Sequence, residues 1–375
     1  MYVPDRVVTN GDLSEIMETS DEWIRTRTGI HARHVVREGE ATAAMAIEAA
    51  RASLRVADAD PRDLDLVVVC TMTPDYPTPS TACVVQNALG AIHAGALDLN
   101  AGCSGFVYGL VLAHQAISSG EQETVLVIGA DTMSSMVNQQ DRSTAVLFGD
   151  GAGAVLLRAS EGPAGVMATM LGSDGSGGNL LKVPAGGSAL PASADTVADG
   201  LHYLVMDGRQ VFRFASRILP RALEQVLDKA GIGIDDIDWI IPHQANQRII
   251  ESAAKRLKCD EGRFFCNLDK YGNTSAASVP IALCEAVEGG LIQPGQQLAM
   301  VGFGAGLTWA AALLKWGPSV EEARSIFYRR WWRWALYRWA ALHTSWLRMV
   351  RSAGARAAAW AEEKERRIKR PNDET

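Results

Sequence analysis

The 375-residue chain has no CxxC pair and no Cys/His spacing suited to zinc among its six cysteines, Cys70, Cys83, Cys103, Cys259, Cys266 and Cys284. It carries no secretory signal at its start, so reduced thiols and a cytoplasmic setting are expected. It also lacks positive charge where most of its mass lies. The net charge is −7, and the first 318 residues hold 23 Lys+Arg against 36 Asp+Glu. An acidic body argues against nucleic acid as a partner of the folded part. What remains is ordinary: 47% hydrophobic and 21% charged residues, in a length that accommodates two half-domains around a shared core.

The stretch Ala96-Leu97-Asp98-Leu99-Asn100-Ala101-Gly102-Cys103-Ser104-Gly105-Phe106 organises the rest. It opens as a short buried strand, breaks at Ala101-Gly102, and becomes helical through Phe106, Leu110, Ala113 and Ile117. Cys103 therefore lies on a strand-to-helix turn, where unpaired N–H groups and the positive helix end favour a thiolate nucleophile. A buried structural cysteine is the competing reading of this local pattern.

Apolar periodicity places helices at 41–56 and 80–89 and strands at 64–70 and 124–129, followed by an apolar strand within 149–157. The order then recurs. A helix at 211–230 precedes a strand ending in Pro242-His243. The segment 264–268, then Tyr271-Gly272-Asn273, precedes a helix and mirrors the Cys103 element. Phe303-Gly304 and a strand at 308–316 mirror Phe148-Gly149 and its strand. A duplicated α/β unit with two packed sheets, and helices between and outside them, is expected. In such folds ligands gather at the carboxyl ends of strands. Cys103, His243 and Asn273 each lie at such an end, and together they suggest acyl transfer through a thioester. A papain-like protease uses the same three residue types, but its chain order and frame differ.

Five ordered blocks then carry a resemblance: TSDEWIRTRTGI at 19–30, CSGF at 103–106, FGDGAG at 148–153, PHQAN at 242–246 and YGNTSAAS at 271–278. From about Tyr2 to Trp316 the chain resembles the β-ketoacyl-acyl-carrier-protein synthase III family of thiolase-fold condensing enzymes. The resemblance implies a five-layer αβαβα fold, with halves at 1–160 and 161–317 and a separate tail at 318–375. It implies that Cys103 takes an acyl group from acyl-CoA. His243 and Asn273 then hold the thioester carbonyl of malonyl-carrier protein during decarboxylation, giving a 3-oxoacyl product. The backbone N–H groups of Cys103 and Ala305 form the oxyanion hole for the cysteine-bound carbonyl, although many relatives have glycine where Ala305 stands. Trp23 and Arg142 resemble the pair that sandwiches the adenine of CoA, and Arg27 resembles a residue that meets its phosphates. Arg213, Arg248, Lys255 and Arg256 would form a basic patch suited to an acidic carrier protein. Thr78 occupies the place where some acetyl-preferring relatives carry phenylalanine, on a loop that closes the partner's acyl pocket across a homodimer interface. No metal and no cofactor beyond the CoA and phosphopantetheine thioester substrates is expected. Two alternatives are a same-fold acyltransferase or specialised-metabolite synthase, and an inactive membrane-docked scaffold.

Both ends depart from the family pattern. Relatives begin with an apolar strand and a glycine turn, whereas here Tyr2-Val3-Pro4 follows Met1 directly. The first half is thus expected to lack its first strand, from a start placed late or as an unstable, inactive protein. The last 57 residues carry 13 Lys+Arg, 7 Asp+Glu and six of the ten tryptophans, including Arg329-Arg330-Trp331-Trp332-Arg333-Trp334. An interfacial helix with arginines among lipid headgroups is one reading, and a read-through extension of a GC-rich gene is the other. Arginine interrupts every apolar run there, so a transmembrane span is excluded.

Overall fold

The structure, a computed structural model, describes residues 1–317. The Arg- and Trp-rich tail, and the readings that rest on it, lie outside the described residues. In chain order, a hairpin of β1 (Arg6–Thr9) and β2 (Ala32–Val35) frames α1 (Asn10–Ile16) and α2 (Asp21–Thr28). Then come α3 (Thr42–Val56), β3 (Leu66–Cys70), α4 (Thr81–Leu89), β4 (Gly95–Leu99), α5 (Gly105–Ser118), β5 (Thr124–Thr132), α6 (Arg142–Ala145) and β6 (Asp150–Arg158). The second half begins with β7 (Gly165–Ser173). A small hairpin of β8 (Leu181–Lys182) and β9 (Val205–Met206) flanks α7 (Ala194–Ala198). It closes with α8 (Gly208–Ala230), β10 (Trp239–Pro242), α9 (Gln247–Leu257), α10 (Leu268–Tyr271), α11 (Ser278–Glu288), β11 (Gln297–Gly304) and β12 (Thr308–Lys315).

Two four-stranded mixed sheets result, β4-β3-β5-β6 and β10-β11-β12-β7. In the first, β3 and β5 are parallel and β6 is antiparallel to β5. In the second, β10 and β11 are parallel and β12 is antiparallel to β11. These three-strand cores correspond, and the fourth strand is added on opposite edges. Where the second sheet adds β7 to β12, the first has a single bridge from Tyr2 to Ala152 on β6. Where the first adds β4 to β3, the second has a bridge from Phe264 to Ile240 on β10. The 264–268 segment is thus a bridge and a short helix rather than the mirrored strand that the sequence suggests.

Side-chain alternation explains the layering. Leu126, Ile128 and Ala130 of β5 pack with Met45, Ala46 and Ala49 of α3 and with Val85 of α4. Val125 and Val127 point to the other face, among Phe106, Val107 and Leu110 of α5 and Val279 and Leu283 of α11. In β11, Leu298 and Met300 join that same central cluster, while Ala299, Val301 and Phe303 face α8 and α9. Both sheets are covered on both faces, so their strands read as nearly continuous apolar runs. The layers are α3 and α4, first sheet, α5 and α11, second sheet, α8 and α9. Both halves lie within one compact unit, Met1–Pro318. Among the described residues no helix is long and apolar enough to cross a membrane.

Candidate active site

Cys103 lies on the turn between β4 and α5, as its sequence context predicts, and is 5% exposed. Gly102 makes that turn with φ +54°, and a Cβ there would meet the Ala305 nitrogen at 3.0 Å. Glycine therefore lets the loop after β11 close onto the nucleophile. Thr308, the first residue of β12, fastens the two segments: its hydroxyl lies 2.8 Å from the Ala101 and Ala305 carbonyls and 2.8 Å from Ser104 Oγ. Ser275 Oγ donates to the Cys103 sulfur at 3.5 Å, and the Cys103 and Ala305 N–H groups pull its pKa down.

These donors do not make a resting thiolate. Burial pushes the Cys103 thiol up to about 11 and outweighs the pull of Ser275 and the two backbone N–H groups, with buried Asp131 adding to the rise. The expectation of a thiolate from the helix end alone is corrected: the cysteine rests as a thiol.

His243 follows the last residue of β10, and its N–H donates to Val301 O on β11 at 2.8 Å. Its ring is 2% exposed and stands edge-on to Phe303, with centroids 5.0 Å apart. Burial lowers its pKa to about 3, so the imidazole is neutral at working pH. Ser278 Oγ lies 2.6 Å from its Nδ1.

Asn273 is held by its backbone, donating to Leu147 O at 2.8 Å and accepting from Gly149 N–H at 3.1 Å. It does not head a helix itself; a short 3₁₀ turn, Ser275–Ala277, separates it from α11. Ser275 N–H donates to Asn273 Oδ1 at 2.9 Å. The amide oxygen is thereby occupied, and among the described residues no acceptor takes up Nδ2. Ser275 thus touches both Cys103 and Asn273, while the strand carrying Phe303 and Gly304 touches both His243 and Cys103. The three residues singled out in the sequence are drawn from three segments into one buried site.

Two groups here were not singled out. Ser275 adopts φ +53°, a left-handed conformation that is uncommon outside glycine and is a form of strain often found at active sites. Asp131, fully buried near the end of β5, accepts at Oδ1 from the hydroxyls of Thr71 and Thr73 and from Met72 N–H, and at Oδ2 from Ala276 N–H at 3.0 Å. Burial raises its carboxyl against the pull of these donors. Ser275 belongs to the YGNTSAAS block without being assigned a role there, and the only sequence signal for Asp131 was its place just past an apolar strand.

The remaining predicted residues fall into three groups. Arg27 and Arg142 stack on the Trp23 ring, with guanidinium carbons 5.0 and 4.7 Å from its centroid, and Arg142 also donates to Glu18 O. Arg248, in the first turn of α9, lies 5.5 Å from the centroid of Phe212 on α8, next to Arg213. Lys255 and Arg256 occupy the last turn of α9, and all four of these basic side chains are exposed. Thr78 is exposed on the loop between β3 and α4, and among the described residues no hydrogen bond or ring contact joins it to the Cys103 site.

Known proteins agree with this frame. Residues 97–175 match the family model described as 3-oxoacyl-[acyl-carrier-protein] synthase III, and residues 227–316 match its C-terminal counterpart. The chain is 51% identical over 315 residues to a β-ketoacyl-[acyl-carrier-protein] synthase III of Caldanaerobacter subterraneus, covering 84% of this chain and 95% of that one. It is 50% identical over 317 residues to the enzyme of the same name from Symbiobacterium thermophilum, covering 84% and 96%. Among solved structures, the 3-oxoacyl-[acyl-carrier-protein] synthase III of Aquifex aeolicus superposes with a TM-score of 0.79 at 44% identity, covering 84% of this chain and 97% of that one. The chain belongs to the β-ketoacyl-acyl-carrier-protein synthase III family, thiolase-fold acyltransferases that carry out the condensation initiating fatty-acid synthesis.

Proposed function

We propose that this chain condenses an acyl-CoA starter with malonyl-acyl-carrier protein, using Cys103, His243 and Asn273. The observation that carries the reading is the pairing around Asn273 and Cys103. Ser275 N–H occupies the amide oxygen and leaves Nδ2 as a donor, while the Ser275 hydroxyl donates to the Cys103 sulfur, whose pKa the Cys103 and Ala305 N–H groups also lower. In the first step the Cys103 sulfur attacks the acyl-CoA carbonyl, and its two flanking N–H groups hold the oxyanion. The C–S bond to CoA breaks, and the thiol proton leaves with the CoA sulfur. In the second step the carbon–carboxylate bond of the malonyl group breaks and CO₂ departs. The electron pair left behind spreads onto the thioester oxygen, where His243 and Asn273 Nδ2 donate. The resulting enolate attacks the acyl-cysteine carbonyl, a carbon–carbon bond forms, and the Cys103 thiolate leaves and takes up a proton.

Trp23, Arg27 and Arg142 would receive the CoA nucleotide, with Arg142 yielding its place on the ring to the adenine. Arg213, Arg248, Lys255 and Arg256 would meet an acidic carrier protein, and the acidic remainder of the body restricts that attraction to one face. The two halves, 1–160 and 161–317, would each contribute to the site, in a cytoplasmic homodimer whose partner receives Thr78 at its acyl pocket. The test is mass spectrometry of the purified protein mixed with acetyl-, butyryl- and dodecanoyl-CoA, followed by malonyl-carrier protein. A single acyl adduct on Cys103, discharged with release of CO₂, supports the reading. An adduct passed to another acceptor without loss of CO₂ favours a same-fold acyltransferase, and no adduct favours the non-catalytic alternative.

A further inference from the structure

His243 serves the proposed reaction only if its Nε2 carries the proton, because the thioester oxygen needs a donor and an imidazole lone pair would repel it. The ring is neutral, so it has one N–H and two positions for it. What decides between them lies 35 residues further along the chain.

Ser278 is the first residue of α11, is 2% exposed, and sets its hydroxyl oxygen 2.6 Å from His243 Nδ1. The same oxygen accepts from Gln244 N–H at 3.4 Å. A serine hydroxyl has one proton to give. Among the described residues no carbonyl or carboxylate accepts from Ser278, so that proton has His243 Nδ1 as its destination. Nδ1 is then an acceptor, and the ring's own proton is confined to Nε2. The packing of Phe303 against the ring opposes a flip that would exchange nitrogen for carbon.

We propose that Ser278 is the positioning residue that fixes His243 in the Nε2–H tautomer, and so turns a buried neutral imidazole into a hydrogen-bond donor for decarboxylation. The inference rests on the role proposed for His243. Ser278 touches no reacting atom. It acts on the second step alone, because acylation of Cys103 draws on the Cys103 and Ala305 N–H groups. The arrangement also gives His243 no part in moving protons: its Nδ1 is filled by a donor, and the ring stays neutral through the working range.

The experiment compares Ser278→Ala, Ser278→Thr and Ser278→Val with the wild type and with His243→Ala. Threonine and valine have the same shape, and only threonine keeps the hydroxyl. Three quantities are read: acylation of Cys103 by acetyl-CoA, kcat and KM for decarboxylation of malonyl-carrier protein, and the ¹⁵N spectrum of the His243 ring. Ser278→Ala and Ser278→Val are expected to lose about thirtyfold or more in kcat, with KM and acylation within about threefold of wild type. Ser278→Thr is expected to stay within about fivefold. The wild-type spectrum should show only the Nε2–H tautomer, and Ser278→Ala should populate Nδ1–H. Equal behaviour of the threonine and valine variants overturns the inference, as does a parallel loss of acylation and decarboxylation. If neither β-branched variant folds, Ser278→Ala decides alone: unchanged kcat and an unchanged tautomer overturn the inference. A His243→Ala enzyme that still decarboxylates defeats the role of His243 itself. Loss in His243→Ala with none in Ser278→Ala defeats only the role of Ser278.

Discussion

Gly304 lies so close to Cys103 that a Cβ on it would fall 2.8 Å from both the Cys103 nitrogen and its Cβ. Strand β11 runs directly behind the nucleophile, and the missing side chain fixes how near it comes. Gly304→Ala should displace the Cys103 turn by a fraction of an ångström or more. Overpacking of this kind costs about 1–3 kcal/mol of stability. Because misplacement of a reacting atom by about 1 Å costs up to ~10²-fold in rate, acylation by acetyl-CoA should fall at least tenfold. Urea unfolding and single-turnover acylation measure the two effects; wild-type acylation in a Gly304→Ala protein would show that the contact is not needed.

The buried thiol makes a pH prediction. With Cys103 pushed up to about 11, only about one sulfur in ten thousand is a thiolate at pH 7 in the free protein. Because the pKa is raised, the reactive form grows as pH increases through the whole neutral and alkaline range. Alkylation of Cys103 by iodoacetamide should quicken about tenfold per pH unit between pH 7 and pH 10. A rate that levels off below pH 8 would mean the site stabilises the thiolate after all.

Asp131 joins the loop after β3 to the 3₁₀ turn before α11 through donors on Thr71, Met72, Thr73 and Ala276. Asp131→Ala leaves several of these buried donors without an acceptor. Hydrogen bonds to a charged group contribute about 1.5–3 kcal/mol each, and orphaned buried donors cost about as much, so a loss of about 3 kcal/mol or more is expected. Ser275, next to Ala276, should shift with it, and acylation should slow. Chemical denaturation checks the first claim and single-turnover acylation the second.

The parts that sequence made legible are those set by period and apolarity. Both three-strand cores are buried on both faces, so their runs of Val, Ile and Leu stand out, and the recurrence of the two halves follows from them. The hairpin of β1 and β2 did not stand out, because RVVT is mostly exposed, ARHV is half-buried around the buried charge of Arg33, and neither four-residue strand carries an apolar run. Strand β7 was also missed: GVMATMLGS mixes glycine, serine and threonine, and its strand character comes from pairing along β12. In the site, Cys103 and His243 could be picked out because each follows a strand, and Asn273 because its segment recurs in the place of the Cys103 element, although α10 rather than a strand precedes it. The thiol's resting state could not, since it depends on burial beneath segments distant in the chain, the end of β11 among them, and on the balance between the charge of Asp131 and the donors of Ser275 and Ala305. Nor could the meeting of Ser278 with His243, which are neighbours only because α11 is wedged between the two sheets.

Arg248 tests the carrier-protein face. It is exposed beside Arg213 and lies over the Phe212 ring, away from the buried residues. Arg248→Glu reverses one charge on that face and should repel an acidic partner. We expect kcat/KM with malonyl-carrier protein to drop by about tenfold or more, with acylation by acetyl-CoA within about twofold. Equal losses with both substrates would point to the pocket or the fold instead.

The central claim is that acylation and decarboxylation are divided between Cys103 on one side and His243 with Asn273 on the other. The direct measurement is paired mass spectrometry and CO₂ release on Cys103→Ser, His243→Ala and Asn273→Ala. Cys103→Ser should form no acetyl adduct. His243→Ala and Asn273→Ala should acetylate within about threefold of wild type and release CO₂ from malonyl-carrier protein at least a hundredfold more slowly, a loss typical of removing one such donor. A His243→Ala protein that acetylates and decarboxylates at wild-type rates would contradict the account.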